Sequence, residues 1–332
     1  MPTSLVTGGA GFIGVHVGNQ LIALGHRVVV LDDLSGGFRE NVNPEATFVQ
    51  GCITDAALVD SLFAEYAFDY VYHLAAYAAE GLSHFIRRFN YTNNVVGTMT
   101  IVNAAIKQRV KCFVFTSSIA VYGSVPPPMT EDMAPRPEDP YGIAKLAVEQ
   151  DLHAAHRIFG LDFIIFRPHN VYGEFQNISD RYRNVIGIFM NQLMQGLPVT
   201  VFGDGHQKRA FSYIGDVAPI IARSVSVKEA YNQTFNIGSD HEHTVNELAR
   251  AVMLAMGIKG EVRHLMPRPE VRDASSDHAR LRNIFGHLSP TPLAQGLDRM
   301  AAWVKKRGAQ ETAKFAAIEV TDKLPAFWLE DP

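Results

Sequence analysis

The chain opens on an apolar strand that runs directly into a glycine turn, Thr7-Gly8-Gly9-Ala10-Gly11-Phe12-Ile13-Gly14. A second apolar run, Val28-Val29-Val30-Leu31, ends in the acidic pair Asp32-Asp33, about eighteen residues after the last glycine. Between them Val15, Val17, Leu21, Ile22 and Leu24 recur at helical spacing. Strand, turn, amphipathic helix and acid-terminated strand in this order predict a dinucleotide-binding unit. One glycine permits the tight turn, one lets backbone N–H groups approach a pyrophosphate, and one lets the helix pack closely on the sheet. The helix N-terminus then faces the phosphates with its partial positive charge. Gly8, Gly11, Phe12, Ile13, Gly14, Asp32 and Asp33 are therefore the candidate cofactor residues of this unit.

A chain of 332 residues can form one large domain with a smaller lobe, or two domains. With 47% hydrophobic residues, 19% charged residues and a net charge of −4, neither disorder nor a nucleic-acid partner is expected. Cys112 lies inside the apolar run 110–115, so Cys112 and Cys52 are expected to be free thiols rather than a disulfide framework. No apolar run approaches the roughly eighteen residues of a membrane span. Strand residues follow Met1-Pro2 directly, and a soluble, cytoplasmic protein without a signal peptide is expected. The 13 histidines include the close pairs His153/His156 and His241/His243, but no His-Glu-x-x-His or Cys-x-x-Cys pattern, so no metal is expected.

Strand patterns at 4–6, 27–31, 47–50, 70–74, 111–116 and 162–167 alternate with helical periods, including long helices over 90–108 and 141–158. This alternation predicts an α/β fold with a doubly wound parallel sheet of the Rossmann type. Residues 1–173 form the expected dinucleotide domain and 174–332 a smaller substrate lobe, with the chain returning to the sheet near 234–238. The polar loops at 174–184 and 203–209 are long enough to be functional. The aromatic and aliphatic tail, Phe315 to Ile318 with Leu324 to Leu329, is expected to pack back on the protein or on a dimer mate.

Hydroxyls follow the fifth strand in Thr116-Ser117-Ser118-Ile119-Ala120-Val121-Tyr122-Gly123, and Tyr141 stands four residues before Lys145, on one helix face. Together they supply what oxidation of an alcohol requires. Tyr141 is the candidate general base, Lys145 lowers its pKa and holds the nicotinamide ribose, and Ser118 hydrogen-bonds the reacting oxygen.

With these motifs in place the chain resembles the NAD-dependent epimerase/dehydratase family, the extended short-chain dehydrogenases that act on nucleotide sugars. The likeness runs from Thr7 to about Trp303 and rests on six motifs in order: the glycine turn, His73-Leu74-Ala75-Ala76, Asn94-Val95-Val96-Gly97-Thr98, the Ser-rich strand end, Tyr141 to Lys145, and Arg167-Pro168-His169-Asn170-Val171-Tyr172-Gly173. The resemblance implies that Asp32 binds the adenosine ribose, that Leu74, Ala75 and Ala76 line the NAD site, and that Asn94 braces the catalytic groups. Cys52 stands where the family usually has Asp, which weakens adenine recognition, while Ile53 can still pack on the ring. It further implies a UDP-sugar site in which Asn170 touches the diphosphate, Asn184 and Phe202 hold the base, and Arg209 and Arg268, the latter in Pro267-Arg268-Pro269-Glu270, clamp the diphosphate. Ala274, three residues before Asp277, falls at the gate position that sets substrate size. The helices over 90–108 and 141–158 are implied to pair across a two-fold axis as the four-helix bundle of a homodimer.

Ile119-Ala120 after Ser118 carries neither the acid and base of a resembling 4,6-dehydratase nor the cysteine of a 3,5-epimerase. The remaining program is oxidation at sugar C4 followed by reduction from the other face, a 4-epimerase retaining NAD. A dehydrogenase or dehydratase with its extra acid or base at Glu80 or His169, and a non-catalytic NAD-bound scaffold, are the alternatives.

Overall fold

Strands in the middle of a parallel sheet are covered on both faces, and this chain's central runs are buried throughout, from Val28 to Leu31 and from Cys112 to Phe115. The computed structural model describes residues 1–268, 271–286, 289–312 and 314–329; Pro269 and Glu270 of the arginine motif, and the last three residues of the expected lobe, lie outside them. The strands are β1 (Thr3–Thr7), β2 (Arg27–Asp32), β3 (Thr47–Gln50), β4 (Tyr70–His73), β5 (Cys112–Thr116), β6 (Phe163–Pro168), four short ones, β7 (Val171–Tyr172), β8 (Val199–Phe202), β9 (Lys208–Ala210) and β10 (Ser212–Tyr213), then β11 (Gln233–Ile237), β12 (Glu242–Thr244) and β13 (Val262–Leu265). Seven of them form one parallel sheet in the order β11-β6-β5-β4-β1-β2-β3. The expected return at 234–238 is β11, paired in register with β6 from Gln233 opposite Ile164 to Ile237 opposite Pro168. The winding reverses between β1 and β4, and that switch point is where open sheets bind ligands.

The helices are α1 (Phe12–Ala23), α2 (Ala56–Tyr66), α3 (Glu80–Ser83), α4 (Arg87–Tyr91), α5 (Gly97–Lys107), α6 (Pro140–Phe159), α7 (Val185–Met194), α8 (Ile214–Arg223), α9 (Val245–Met256), α10 (Ala279–Phe285), α11 (Leu293–Arg307) and α12 (Ala326–Leu329). Alternate strand residues point to opposite sheet faces. Leu5, Val29, Phe113 and Phe163 meet Phe63 of α2, Ile101 of α5 and Leu152 of α6 on one face. Val6, Val30, Val114 and Phe166 meet Val17 and Leu21 of α1 and Ile221 of α8 on the other. The remaining elements after residue 174 build the smaller lobe around α7 and α9.

The helix expected over 90–108 is broken. A single π turn, Thr92–Val96, separates α4 from α5. Such turns occur where a side chain is needed in a position that regular helix spacing does not reach. Here the turn holds Asn94 inward, where Nδ2 donates to the Tyr77 carbonyl at 3.1 Å and to Asn90 Oδ1 at 2.8 Å, and Oδ1 accepts the Tyr77 N–H at 2.9 Å. By contrast α6 matches its expectation closely. Asp139 caps it by accepting the Gly142 N–H at 2.9 Å, Pro140 sits in its first turn, and Gly160 ends it at φ +72°.

Candidate active site

At the C-terminal end of the sheet lies a cleft of about 440 Å³. Its floor is the glycine turn. Gly8 adopts φ +68°, and a Cβ there would lie 2.7 Å from the Ala75 Cα, while one on Gly14 would lie 2.1 Å from the Gly8 carbonyl oxygen. No side chain fits at either position, so the start of α1 lies against the turn and its N–H groups face the cleft. Gly11, Phe12, Ile13, Leu74, Ala75, Ala76, Asp33 and Ile53 line the same cavity. Asp32 also lines it, with Oδ2 accepting the Ala10 N–H at 3.0 Å and Oδ1 the Leu34 N–H at 2.8 Å. Burial raises its carboxyl above the ordinary value, and these backbone donors oppose the shift. The glycine cradle, the helix end and this carboxylate at the tip of β2 suit NAD.

Ser118, Tyr141 and Lys145 share one wall of the cleft and are all buried. Tyr141 and Lys145 are held by the capped start of α6, and Ser118 begins the 3₁₀ turn after β5, its Oγ accepting the Ala120 N–H at 3.1 Å. Burial pushes the Tyr141 phenol above its ordinary range and the Glu80 carboxylate adds to this, while a hydrogen bond with Ser118 opposes it. Lys145 Nζ donates to the Thr116 carbonyl at 2.7 Å and lies 5.7 Å from the centre of the Tyr141 ring. Burial lowers its ammonium to about 7, against the pull of the Glu149 carboxylate.

Several placements differ from expectation. Cys52 does not line the cleft; its Sγ lies 3.0 Å from Thr54 Oγ1, since the turn before α2 points Ile53 rather than Cys52 at the cavity. Asn94 does not line the cleft as a cofactor contact; it stands behind the wall in the bracing place the resemblance implies, linked through Asn90 to the Pro140 carbonyl at 2.8 Å, and holds Tyr77 and the start of α6. Ala274 also stays off the wall. It packs with Ile119, Val121, Tyr122 and Met129 behind Arg209, because its N–H bonds the Lys208 carbonyl at 3.1 Å. His169 is buried against His278, with Nε2 atoms 3.2 Å apart, and leaves Glu80 as the alternative acid or base that reaches the cleft.

The substrate-side residues do converge. Asn170, Asn184, Phe202, Arg209 and Arg268 all line the cavity. Asn170 and Asn184 take φ +40° and +58°, a left-handed conformation that asparagine tolerates. The Arg268 guanidinium stacks 4.5 Å above the Phe202 ring. Arg209 donates to the carbonyls of Val271 and Arg272 as well as facing the cleft.

Other residues on the site escaped sequence reasoning. Gln176 is 1% exposed and lines the cleft, yet neither amide atom has a partner among the described residues. Thr116, one of the hydroxyl residues expected at the strand end, also lines the cleft with its Oγ1 buried and without a partner among the described residues. For Gln176 the one available signal was its place in the long loop 174–184. His73 accepts from Thr7 at Nδ1 and donates to Thr98 at Nε2, each at 2.8 Å, because Thr98 already donates to the Asn94 carbonyl at 2.9 Å. Burial favours the neutral imidazole, which ties the glycine turn to the π turn. Glu149 and Arg167 form a buried two-point ion pair at 2.9 and 2.5 Å, and Ser117 Oγ donates to Glu149 at 2.5 Å, so this hydroxyl is committed to structure. Among the described residues no group of three or more metal-ligating side chains gathers, and no helix is long and apolar enough to cross a membrane.

This fold and site define an NAD-dependent oxidoreductase-type enzyme built on the short-chain dehydrogenase plan. The chain belongs to the NAD dependent epimerase/dehydratase family, whose profile matches residues 4–238. It is 34% identical over 304 residues to a protein of Methanocaldococcus jannaschii described as a putative UDP-glucose 4-epimerase, covering 91% of this chain and 98% of that one. A Streptomyces niveus dTDP-glucose 4,6-dehydratase is 32% identical, covering 92% and 93% of the two chains. The crystal structure of a Thermotoga maritima UDP-glucose 4-epimerase with UDP-glucose superposes with a TM-score of 0.87 at 34% identity, covering 92% of this chain and 99% of that one.

Proposed function

We propose that this protein is a nucleotide-sugar 4-epimerase acting on a UDP-sugar, with residues 1–173 holding NAD and the lobe from 174 onward, apart from β11, holding the nucleotide sugar. The observation that carries the reading is the convergence of Ser118, Tyr141 and Lys145 on one wall of the cleft, followed by Ile119-Ala120, which offers no further acid or base. Tyr141 takes the proton of the C4 hydroxyl and later returns it to the ketone oxygen. Ser118 holds that oxygen, and Lys145, fastened to Thr116, favours the phenolate electrostatically. Bound NAD supplies the redox chemistry at C4. Arg209 and Arg268 are suited to the two phosphates, Asn184 and Phe202 to the base, and Gln176 and Thr116 offer unused hydrogen bonds to the sugar. Cytoplasmic location accords with two unbridged cysteines. A homodimer is supported by Val96 at 56% exposure at the end of the π turn and Ile143 at 40% on α6, although Ile101, Val102, Val148 and Leu152 are already committed to the sheet.

The test is incubation of the purified protein, without added cofactor, with UDP-glucose, UDP-N-acetylglucosamine and UDP-glucuronic acid, followed by chromatographic separation of C4 epimers. Interconversion is expected for at least one of them. Loss of water from the sugar, seen by mass, would instead establish the dehydratase alternative that Glu80 on the cleft wall favours.

A further inference from the structure

Beyond α11 the chain runs back over the residues that line the cleft. Its first anchor is on the lobe. The Gln310 carbonyl accepts from Asn191 Nδ2 at 2.9 Å and Gln195 Nε2 at 2.6 Å, and the Gln310 N–H returns a bond to Asn191 Oδ1 at 2.9 Å, so both amides belong to α7 or its end. Its second anchor is on the dinucleotide side. Phe315 packs 5.2 Å from Tyr77 and 4.9 Å from Phe89, and the Glu319 carboxylate accepts the N–H groups of Arg88 and Phe89 at 2.7 and 2.8 Å. Its third anchor returns to the lobe. Trp328, 4% exposed, meets Tyr182 at 5.2 Å and Phe202 at 6.4 Å, and Arg181 donates to the Phe327 carbonyl at 2.6 Å.

Tyr77, Phe89, Tyr182 and Phe202 all line the cleft, the first two before residue 174 and the last two after it. One segment thus fastens the two walls to each other. Walls that must part to admit a bulky nucleotide sugar are held together by these contacts, so ligand exchange has to break some of them. We propose that residues 310–312 and 314–329 are a clasp on the nucleotide-sugar end of the cleft, which slows release of the nucleotide while leaving the dinucleotide end untouched. This rests on the function proposed above.

The test compares full-length protein carrying its NAD with two variants, Glu319→Ala and a truncation after Gly308. UDP and dTDP are the probes, their dissociation followed by stopped-flow, with NAD per chain measured in parallel. UDP release faster by about tenfold in both variants, with NAD content unchanged, is the expected result, since interface changes act mainly on the off-rate. Should the truncated chain fail to fold, Trp328→Ala takes its place beside Glu319→Ala. Hydrogen exchange on the full chain should show UDP protecting 80–91 and 314–329. Dissociation within about twofold of wild type in the variants, with unchanged exchange, overturns the clasp and leaves the enzyme reading intact. Wild-type protein that binds neither UDP nor dTDP overturns the enzyme reading first, and the clasp with it.

Discussion

Lys145 Nζ donates a 2.7 Å hydrogen bond to the carbonyl of Thr116, the last residue of β5, two residues before Ser118. The bond ties α6, which carries Tyr141, to the strand that delivers Ser118, so the distance between the two is set by backbone rather than by flexible loops. Tyr141→Phe keeps this scaffold and removes the proton acceptor. Its kcat should fall by roughly 10²–10⁴-fold with NAD still bound, measured by epimer formation and by cofactor released on denaturation. Near-normal turnover would remove Tyr141 from its role.

In the proposed function the Asp32 carboxylate, which lines the cleft at the tip of β2, would face the cofactor's adenosine ribose, accept hydrogen bonds from its hydroxyls and repel a 2′-phosphate. Arg39, the nearest candidate to welcome that phosphate, stacks 4.4 Å over Phe48 instead. The supernatant of denatured protein should contain NAD and no NADP, and Asp32→Ala should narrow the preference in titrations of cofactor-free protein.

The Glu149–Arg167 pair joins α6 to β6 with both side chains at most 5% exposed. Removing one partner leaves a buried charge, so Glu149→Ala should lower stability by about 3–5 kcal/mol in denaturant unfolding, with Arg167→Ala of similar size. A loss below about 1 kcal/mol would mean that water reaches the site.

His73 and His169 are pushed down to about 3 by burial, Lys145 adding to the first and His278 to the second. In the unfolded chain both titrate near the ordinary imidazole value of 6.5. Between these values the unfolded state binds more protons, so stability rises with pH across that window and is lost as pH falls from 6.5 toward 3. The slope should be of order 1 kcal/mol per pH unit for each histidine, and His73→Asn should flatten it in chemical denaturation at pH 4 to 7, where most of that window lies.

Val96 and Ile143 are large apolar side chains left in water by the isolated chain. Light scattering at micromolar concentration should give a dimer mass, and Val96→Glu with Ile143→Glu should shift it to a monomer. Wild-type monomer would remove the expected bundle.

The periodic parts of this protein were legible from its residues. Glycines before an acid-terminated strand, and buried β-branched runs between helical periods, permit few arrangements, so the parallel sheet, the return at β11, and Ser118, Tyr141 and Lys145 on one wall followed from local pattern. What depended on contacts between distant segments did not. The break of the 90–108 helix into a π turn comes from Asn94 reaching the Tyr77 backbone, a partner 17 residues away that no helical period contains. Cys52 and Ala274 sit beside the expected site yet point away from it, because a turn and a bond to Lys208 set their directions. Gln176 became visible as a cleft-lining residue once burial left its amide without a partner among the described residues, and the proposed clasp once Glu319 met the amides of α4 across 230 residues of sequence. Local propensity specifies which elements form; which side chains face the cleft is decided by the packing that surrounds them.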